Sequence, residues 1–223
     1  HIGFSTYKRS ACLVLLKAIY DVAGKETVEK VEIHYSVGSG YYFTINGFPG
    51  LNQGFLDQIR EEMHRIADAC LPIGKKSVST ADAIALFHQH HMYDKEKLFR
   101  YRRVSRVNIY NIENYEDYFY GYMVPSTGYL KYFDLTLYKE GFMLLFPGKD
   151  TRTVDIFVPS DKLYLTLEEA SEWGHTMGVG TIGALNDAVS AGRIQEIILI
   201  QEALMEQKIG QLAEQIKEGH HKK

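Results

Sequence analysis

Val107-Asn108-Ile109-Tyr110-Asn111-Ile112, Tyr115-Glu116-Asp117-Tyr118-Phe119-Tyr120-Gly121-Tyr122-Met123-Val124-Pro125, Phe133-Asp134-Leu135-Thr136-Leu137-Tyr138 and Phe142-Met143-Leu144-Leu145-Phe146 decide the fold. Apolar residues here recur every second position or run together, as on pleated strands whose side chains point alternately to opposite faces. Gly128 and Gly141 fall between the runs, where turns are needed. Many of the chain's 16 tyrosines lie in this stretch, and aromatic side chains suit a half-buried pleated surface. The spacing predicts successive antiparallel strands over 107–112, 115–125, 133–138 and 142–146.

Working back towards the start, the period lengthens. Over 6–23, Ala11, Val14, Leu15, Ala18, Ile19 and Val22 follow the i, i+3, i+4, i+7 rule of an amphipathic helix, with Gly24 as its C-terminal cap. Val31, Ile33, Tyr35 and Val37 alternate with polar residues and read as a strand. Gly38-Ser39-Gly40 turns the chain into another strand over 41–45, and Asn46-Gly47 and Pro49-Gly50 are turn chemistry. A second helix carries Phe55, Ile59, Met63, Ile66 and Cys70 as far as Leu71-Pro72. Ser79 with Asp82 has the spacing of a capping box for a third helix over 80–90, and a short fourth covers 95–101.

Beyond residue 148 the pattern loosens, and only 154–158 looks strand-like. Thr166 with Glu169 reads as a capping box opening a helix through Met177, and Thr181 caps another through Ala191. A long helix over 193–217 carries Ile198, Met205, Ile209, Leu212 and Ile216 on one stripe, in heptad spacing apart from Glu202 at an a-type position. The expected class is α+β: an antiparallel sheet with helices packed on one side over 1–150, followed by a mainly helical segment over 151–223.

With 45% of its residues hydrophobic and 24% charged, the chain can bury a sizeable core. No apolar run approaches the ~18–20 residues of a membrane span. Cys12 and Cys70 make no disulfide framework; both lie in helical patterns and read as buried thiols, which suits a reducing, cytoplasmic setting. His1-Ile2-Gly3-Phe4 has neither a methionine nor a basic-then-apolar leader, so the sequence reads as part of a longer chain. A net charge of −3 argues against nucleic acid as a partner. The local exception is Lys95, Lys97, Arg100, Arg102, Arg103 and Arg106, interleaved with Phe99 and Tyr101, which reads as a solvated helix face.

No motif assembles a catalytic centre. The Gly-x-x-x-x-Gly-Lys-Ser/Thr phosphate loop does not occur. Gly178-Val179-Gly180-Thr181-Ile182-Gly183 has dinucleotide-fingerprint spacing but follows a helix instead of a strand, so it reads as a helix end running into the next helix. His88, His90 and His91 near Asp94 and Glu96 read as a helix terminus complementing its dipole, and no metal site is expected. Cys12 has Arg9 nearby, but its apolar stripe argues for burial over reactivity.

Tyr7-Lys8-Arg9-Ser10-Ala11-Cys12-Leu13-Val14-Leu15-Leu16-Lys17-Ala18-Ile19 and Tyr35-Ser36-Val37-Gly38-Ser39-Gly40-Tyr41-Tyr42 resemble the opening of the editing domain of threonyl-tRNA synthetase. That domain is shared with alanyl-tRNA synthetase and often called the second additional domain. The resemblance continues through Met63-His64-Arg65-Ile66-Ala67, Leu71-Pro72-Ile73, Phe119–Pro125 and Phe133-Asp134-Leu135, over about residues 5–147. The family's editing site uses two histidines four apart on the first helix, and a cysteine and a histidine four apart on a later strand. The resemblance sets these on Arg9 and Leu13, and on Phe119 and Met123. None of the four can hold zinc as His or Cys would, so the resemblance implies a degenerate site with no catalytic residues.

Trp173, Gly180, Leu185-Asn186, Ile197-Ile198 and Glu202-Ala203-Leu204-Met205-Glu206-Gln207-Lys208-Ile209 resemble the linker of bacterial multidomain uridine kinase-like proteins. There, a synthetase-like half precedes a nucleoside kinase domain with a phosphate loop. The resemblance implies an ancillary or regulatory domain of a nucleoside kinase, itself without cofactor. ATP and magnesium are then expected in a kinase domain downstream, its partner in cis. The terminal helix would pack on that domain or on a second copy of itself. Two other readings stand beside it: an aminoacyl-tRNA deacylase, and a binding module for a small ligand such as an amino acid or nucleoside. In the last, Arg9, Tyr118, Tyr120, Tyr122 and Asp134 anchor the ligand, although alternation puts the tyrosines opposite Phe119 and Met123.

Overall fold

The computed structural model describes residues 2–148 and 151–220, without the side chain of His220. In chain order the elements are α1 (Ile2–Ala23), β1 (Lys30–Val37), β2 (Gly40–Asn46), α2 (Gln53–Asp68), β3 (Gly74–Ser79), α3 (Thr80–Gln89), α4 (Tyr93–Arg100), β4 (Arg106–Ile112), β5 (Tyr115–Tyr118), a 3-10 turn (Thr127–Tyr129), β6 (Asp134–Tyr138), β7 (Gly141–Leu145), α5 (Asp161–Thr176), α6 (Ile182–Ser190) and α7 (Ile194–His220). The class is α+β, and every strand pairing is antiparallel. The chain folds as two compact units, His1–Ser79 with Ser105–Leu167, and Thr80–Val104 with Glu168–Lys223. The helix pair of residues 80–104 thus belongs with the C-terminal helices, a partition different from a single cut near residue 150.

In the first unit one sheet has the order β1-β2-β7-β6. Alternation sends Phe43, Phe142 and Leu144 into a core with α1 and α2, and Tyr42, Met143 and Leu145 into a second cluster with Tyr138 and Tyr164. Both faces of β7 are therefore covered, which explains an unbroken apolar run where a half-exposed strand would alternate. α2 starts at Asn52, whose side chain accepts from the Phe55 amide at 3.0 Å.

A second sheet has the order β3-β4-β5. The four strands expected as one succession are thus divided. β4 and β5 join β3, while β6 and β7 join β1 and β2, because β7 pairs with β2 a hundred residues away. The strand expected over 115–125 stops at Tyr118, and 154–158 contributes an isolated bridge between Pro147 and Val154. Cys70 is exposed, not buried: it lies past the end of α2 with φ 50°. Cys12 is buried as expected, and burial pushes its thiol up to about 12.

In the second unit, α3 and α4 meet through Phe87 and Phe99, ring centroids 4.9 Å apart. Gly183 of α6 lies against the α4 backbone at Leu98, so close that a Cβ would come within 3.0 Å of its nitrogen. Lys97 pairs with Asp187 at 2.7 Å, and the Tyr101 hydroxyl donates to the same carboxylate. Thr181 caps α6, accepting from the Ala184 amide at 3.2 Å. α5 instead starts five residues before Thr166, whose hydroxyl donates back to the Lys162 carbonyl from within the helix. Ser79 likewise ends β3, and the Thr80 hydroxyl donates to the Val104 carbonyl. Among the described residues no helix is long and apolar enough to cross a membrane.

Candidate functional site

Helix α1 is buried without a break from Ser10 to Ile19. A helix covered all round accepts polar groups only where partners meet them. Lys17 shows the rule, its ammonium lying 2.9 Å from Asp21 and 3.1 Å from Glu113. Burial works against its charge, but those two carboxylates outweigh burial and hold its pKa above the ordinary lysine value.

At its N-terminal half α1 holds the irregular stretch that follows β5. The Tyr7 hydroxyl donates to the Tyr132 carbonyl at 2.8 Å and accepts from the Tyr132 amide at 2.9 Å. Arg9 Nη1 donates to the Tyr122 carbonyl at 2.6 Å, a charge-assisted bond. The Ser10 hydroxyl donates to the Thr6 carbonyl at 2.8 Å and accepts from the Val124 amide at 2.9 Å, with Met123 Sδ 3.3 Å away. From β4, the Tyr110 hydroxyl donates to the Gly121 carbonyl at 2.5 Å. The stretch from Gly121 to Val124 is therefore held by its backbone, from two sides.

Of the four positions that the editing resemblance singles out, Leu13 is fully buried, and Phe119 and Met123 pack against the same core. Arg9 is the clamp on Tyr122. The proposed ligand anchors do not all converge. Arg9 meets Tyr122 only through its backbone, and Asp134 is paired with Arg60 of α2 at 3.0 Å. Tyr118 ends β5 half-buried, whereas Tyr120 and Tyr122 are 80% and 71% exposed. The Lys75 ammonium stands over the Tyr122 ring at 5.7 Å. Phe119 and Met123 turn inward and Tyr120 and Tyr122 outward, although no strand imposes the alternation. Sequence reasoning missed Tyr7, Ser10, Tyr110 and Gly121. Ser10, a polar residue amid an apolar helix face, was the readable signal; the others have none.

Gly121 has φ 112°, and a Cβ there would come within 2.7 Å of the Arg9 guanidinium carbon. Gly121→Ala is therefore expected to break the Arg9–Tyr122 bond and to lower stability by about 2 kcal/mol. Urea unfolding, with hydrogen exchange on the Val124 amide, checks this; unchanged stability and protection would show that the clamp is dispensable.

Elsewhere, His88 Nδ1 lies 3.0 Å from Glu96, and His91 Nδ1 lies 2.9 Å from the Tyr93 hydroxyl. His88 and then Arg100 hold the Glu96 carboxyl below its usual range. Among the described residues, no group of three or more His, Cys, Asp or Glu side chains is placed to hold a metal ion.

No family model matches the chain. Threonine–tRNA ligase of Thermotoga petrophila is 32% identical over 130 residues, which are 58% of this chain and 20% of that protein. The same enzyme of Citrifermentans bemidjiense is 31% identical over 107 residues, 48% of this chain and 17% of the ligase. That of Syntrophotalea carbinolica is 29% identical over 138 residues, 60% and 21% respectively. Over about half to three fifths of its length the chain is therefore similar to a region of threonyl-tRNA synthetases. It spans about a fifth of the length of these relatives. The relationship supports a synthetase-related α+β domain and leaves its chemistry to the residues described above.

Proposed function

We propose that this chain is a non-catalytic ancillary module built on the scaffold of a synthetase editing region. The observation that carries the reading is the engagement of the Arg9 guanidinium by the Tyr122 carbonyl, one turn before the fully buried Leu13. On the editing alignment these two positions would carry the histidines of a hydrolytic site. A guanidinium stays protonated and cannot take a proton from water. Leu13, Phe119 and Met123 offer no titratable group at all. The parent of this module is a nucleoside kinase, with ATP and magnesium held by a domain downstream; the resemblance of Trp173 and of 197–209 to a uridine kinase-like linker supports that half of the reading.

The test is deacylation of threonine-specific tRNA carrying serine, with and without added zinc. Release of serine no faster than from the uncatalysed ester is expected in both. Hydrolysis above that background would make the chain an editing enzyme and refute the module reading. For the parent, failure of the full-length protein to phosphorylate any nucleoside with ATP and magnesium would remove the kinase.

A further inference from the structure

Helix α7 stands almost bare. Among its described side chains only Ile197 is buried, and every residue from Met205 to Gly219 is exposed. A helix with no apolar face covered is marginal in water, whatever its propensity. Met205, Ile209, Leu212 and Ile216 are each 56–62% exposed and follow one another at intervals of four, three and four, the a/d rhythm of a coiled coil. Glu202 takes the a position before them and Gly219 the d position after them.

We propose that α7 pairs with α7 of a second copy, antiparallel, in a two-stranded coiled coil centred between Gly210 and Gln211. In that register Ile209 faces Leu212 of the second copy and Met205 faces Ile216, giving an uninterrupted run of apolar layers. Glu202 then meets Gly219, whose missing side chain leaves the carboxylate a way out to water. A parallel, in-register pair would instead set Glu202 against Glu202 within one layer, two like charges in a closing interface. Shifting the antiparallel register by one heptad inwards would bury Glu202 against Leu212. The charge of Glu202 and the glycine at the last d position, Gly219, therefore select both the partner's direction and its register. The overlap from Glu202 to Gly219 is about 27 Å long at 1.5 Å per residue. Such a stripe covers less than the ~800 Å² per partner of a standard interface, so association falls in the micromolar range.

The experiment is sedimentation equilibrium on the whole chain from about 1 to about 200 μM. The mass should rise from the monomer's 25.5 kDa towards twice that value. The double variant Ile209→Glu with Leu212→Glu should stay monomeric at every concentration and keep the circular dichroism spectrum of the wild type at its lowest, monomeric concentration, since both side chains are exposed. A wild-type chain that remains monomeric throughout, as expected if α7 docks only on another domain, would overturn the proposal; so would a double variant that still dimerises. Direction is read by oxidising mixed copies in a Cys70→Ser background, one carrying Met205→Cys and the other Ile216→Cys. Disulfide-linked mixed dimers are expected. Met205→Cys copies that link to themselves instead would refute the antiparallel arrangement.

Discussion

Thr127→Val will lower the stability of the chain by about 3 kcal/mol, although the two side chains have nearly the same shape. Thr127 is fully buried at the start of the 3-10 turn. Its hydroxyl donates to the Ile66 carbonyl at 2.6 Å, near the end of α2, and accepts from the Leu71 amide at 2.9 Å. Its own amide donates to the Leu71 carbonyl at 2.9 Å, and the Ile73 amide donates to the Pro125 carbonyl at 3.0 Å. One hydroxyl thus serves two backbone groups where α2 gives way to the loop before β3. A valine methyl leaves both unserved inside the protein, at about 1–3 kcal/mol each. Urea unfolding measures the loss directly; in a thermal melt it should appear as a midpoint lower by roughly 6–12 °C. Thr127→Ser, which keeps the hydroxyl, should retain most of the stability. A loss below about 1 kcal/mol in the valine variant would mean that water serves these groups instead.

Phe142→Ala should cost about 4 kcal/mol. Phe142 is fully buried, pairs with Phe43 across β2 and β7, and stacks on that ring with centroids 5.5 Å apart and planes at 16°. Removing the ring forfeits both its transfer from water and the stacking, and the neighbouring strands fix the backbone too firmly to close the void. The unfolding midpoint in denaturant should fall with little change in slope. A variant within about 1 kcal/mol of the wild type would show that α1 and α2, not β7, carry the core.

How far the sequence discloses this protein varies from element to element. α1, α2 and α6 declare themselves through amphipathic spacing and terminal residues, and Gly24 does adopt the positive φ, 84°, that ends α1. β3 does not declare itself. Gly74-Lys75-Lys76-Ser77-Val78-Ser79 holds one large apolar residue, and it is a strand because β4 offers it a full ladder from Asn111 to Arg106. The division into two sheets is silent for a related reason: an alternating segment looks the same whichever strand lies beside it. The tyrosines of 115–125 continue a strand-like alternation past Tyr118, but Gly121 sits at a φ that no strand uses. Thr166 with Glu169 matches a capping box by spacing alone, within a helix already five residues long. At the site, the resemblance singled out Arg9 and Leu13, yet the partner of Arg9 is a main-chain oxygen, which no side-chain pattern can announce.

The pairing of Gly40 with Leu145 sets an order of events during synthesis. On a ribosome, α1, β1, β2 and α2 emerge early, but β2 must wait about a hundred residues for β7, its neighbour on the side away from β1. Closing so long a loop is slow, and the waiting edge of β2 can pair with other chains meanwhile. The helix pair of residues 80–104 emerges in that interval, and its own helical partners come later still, after residue 168. Neither unit can finish before most of the chain has been made, so a chain released short of β7 exposes two incomplete cores at once.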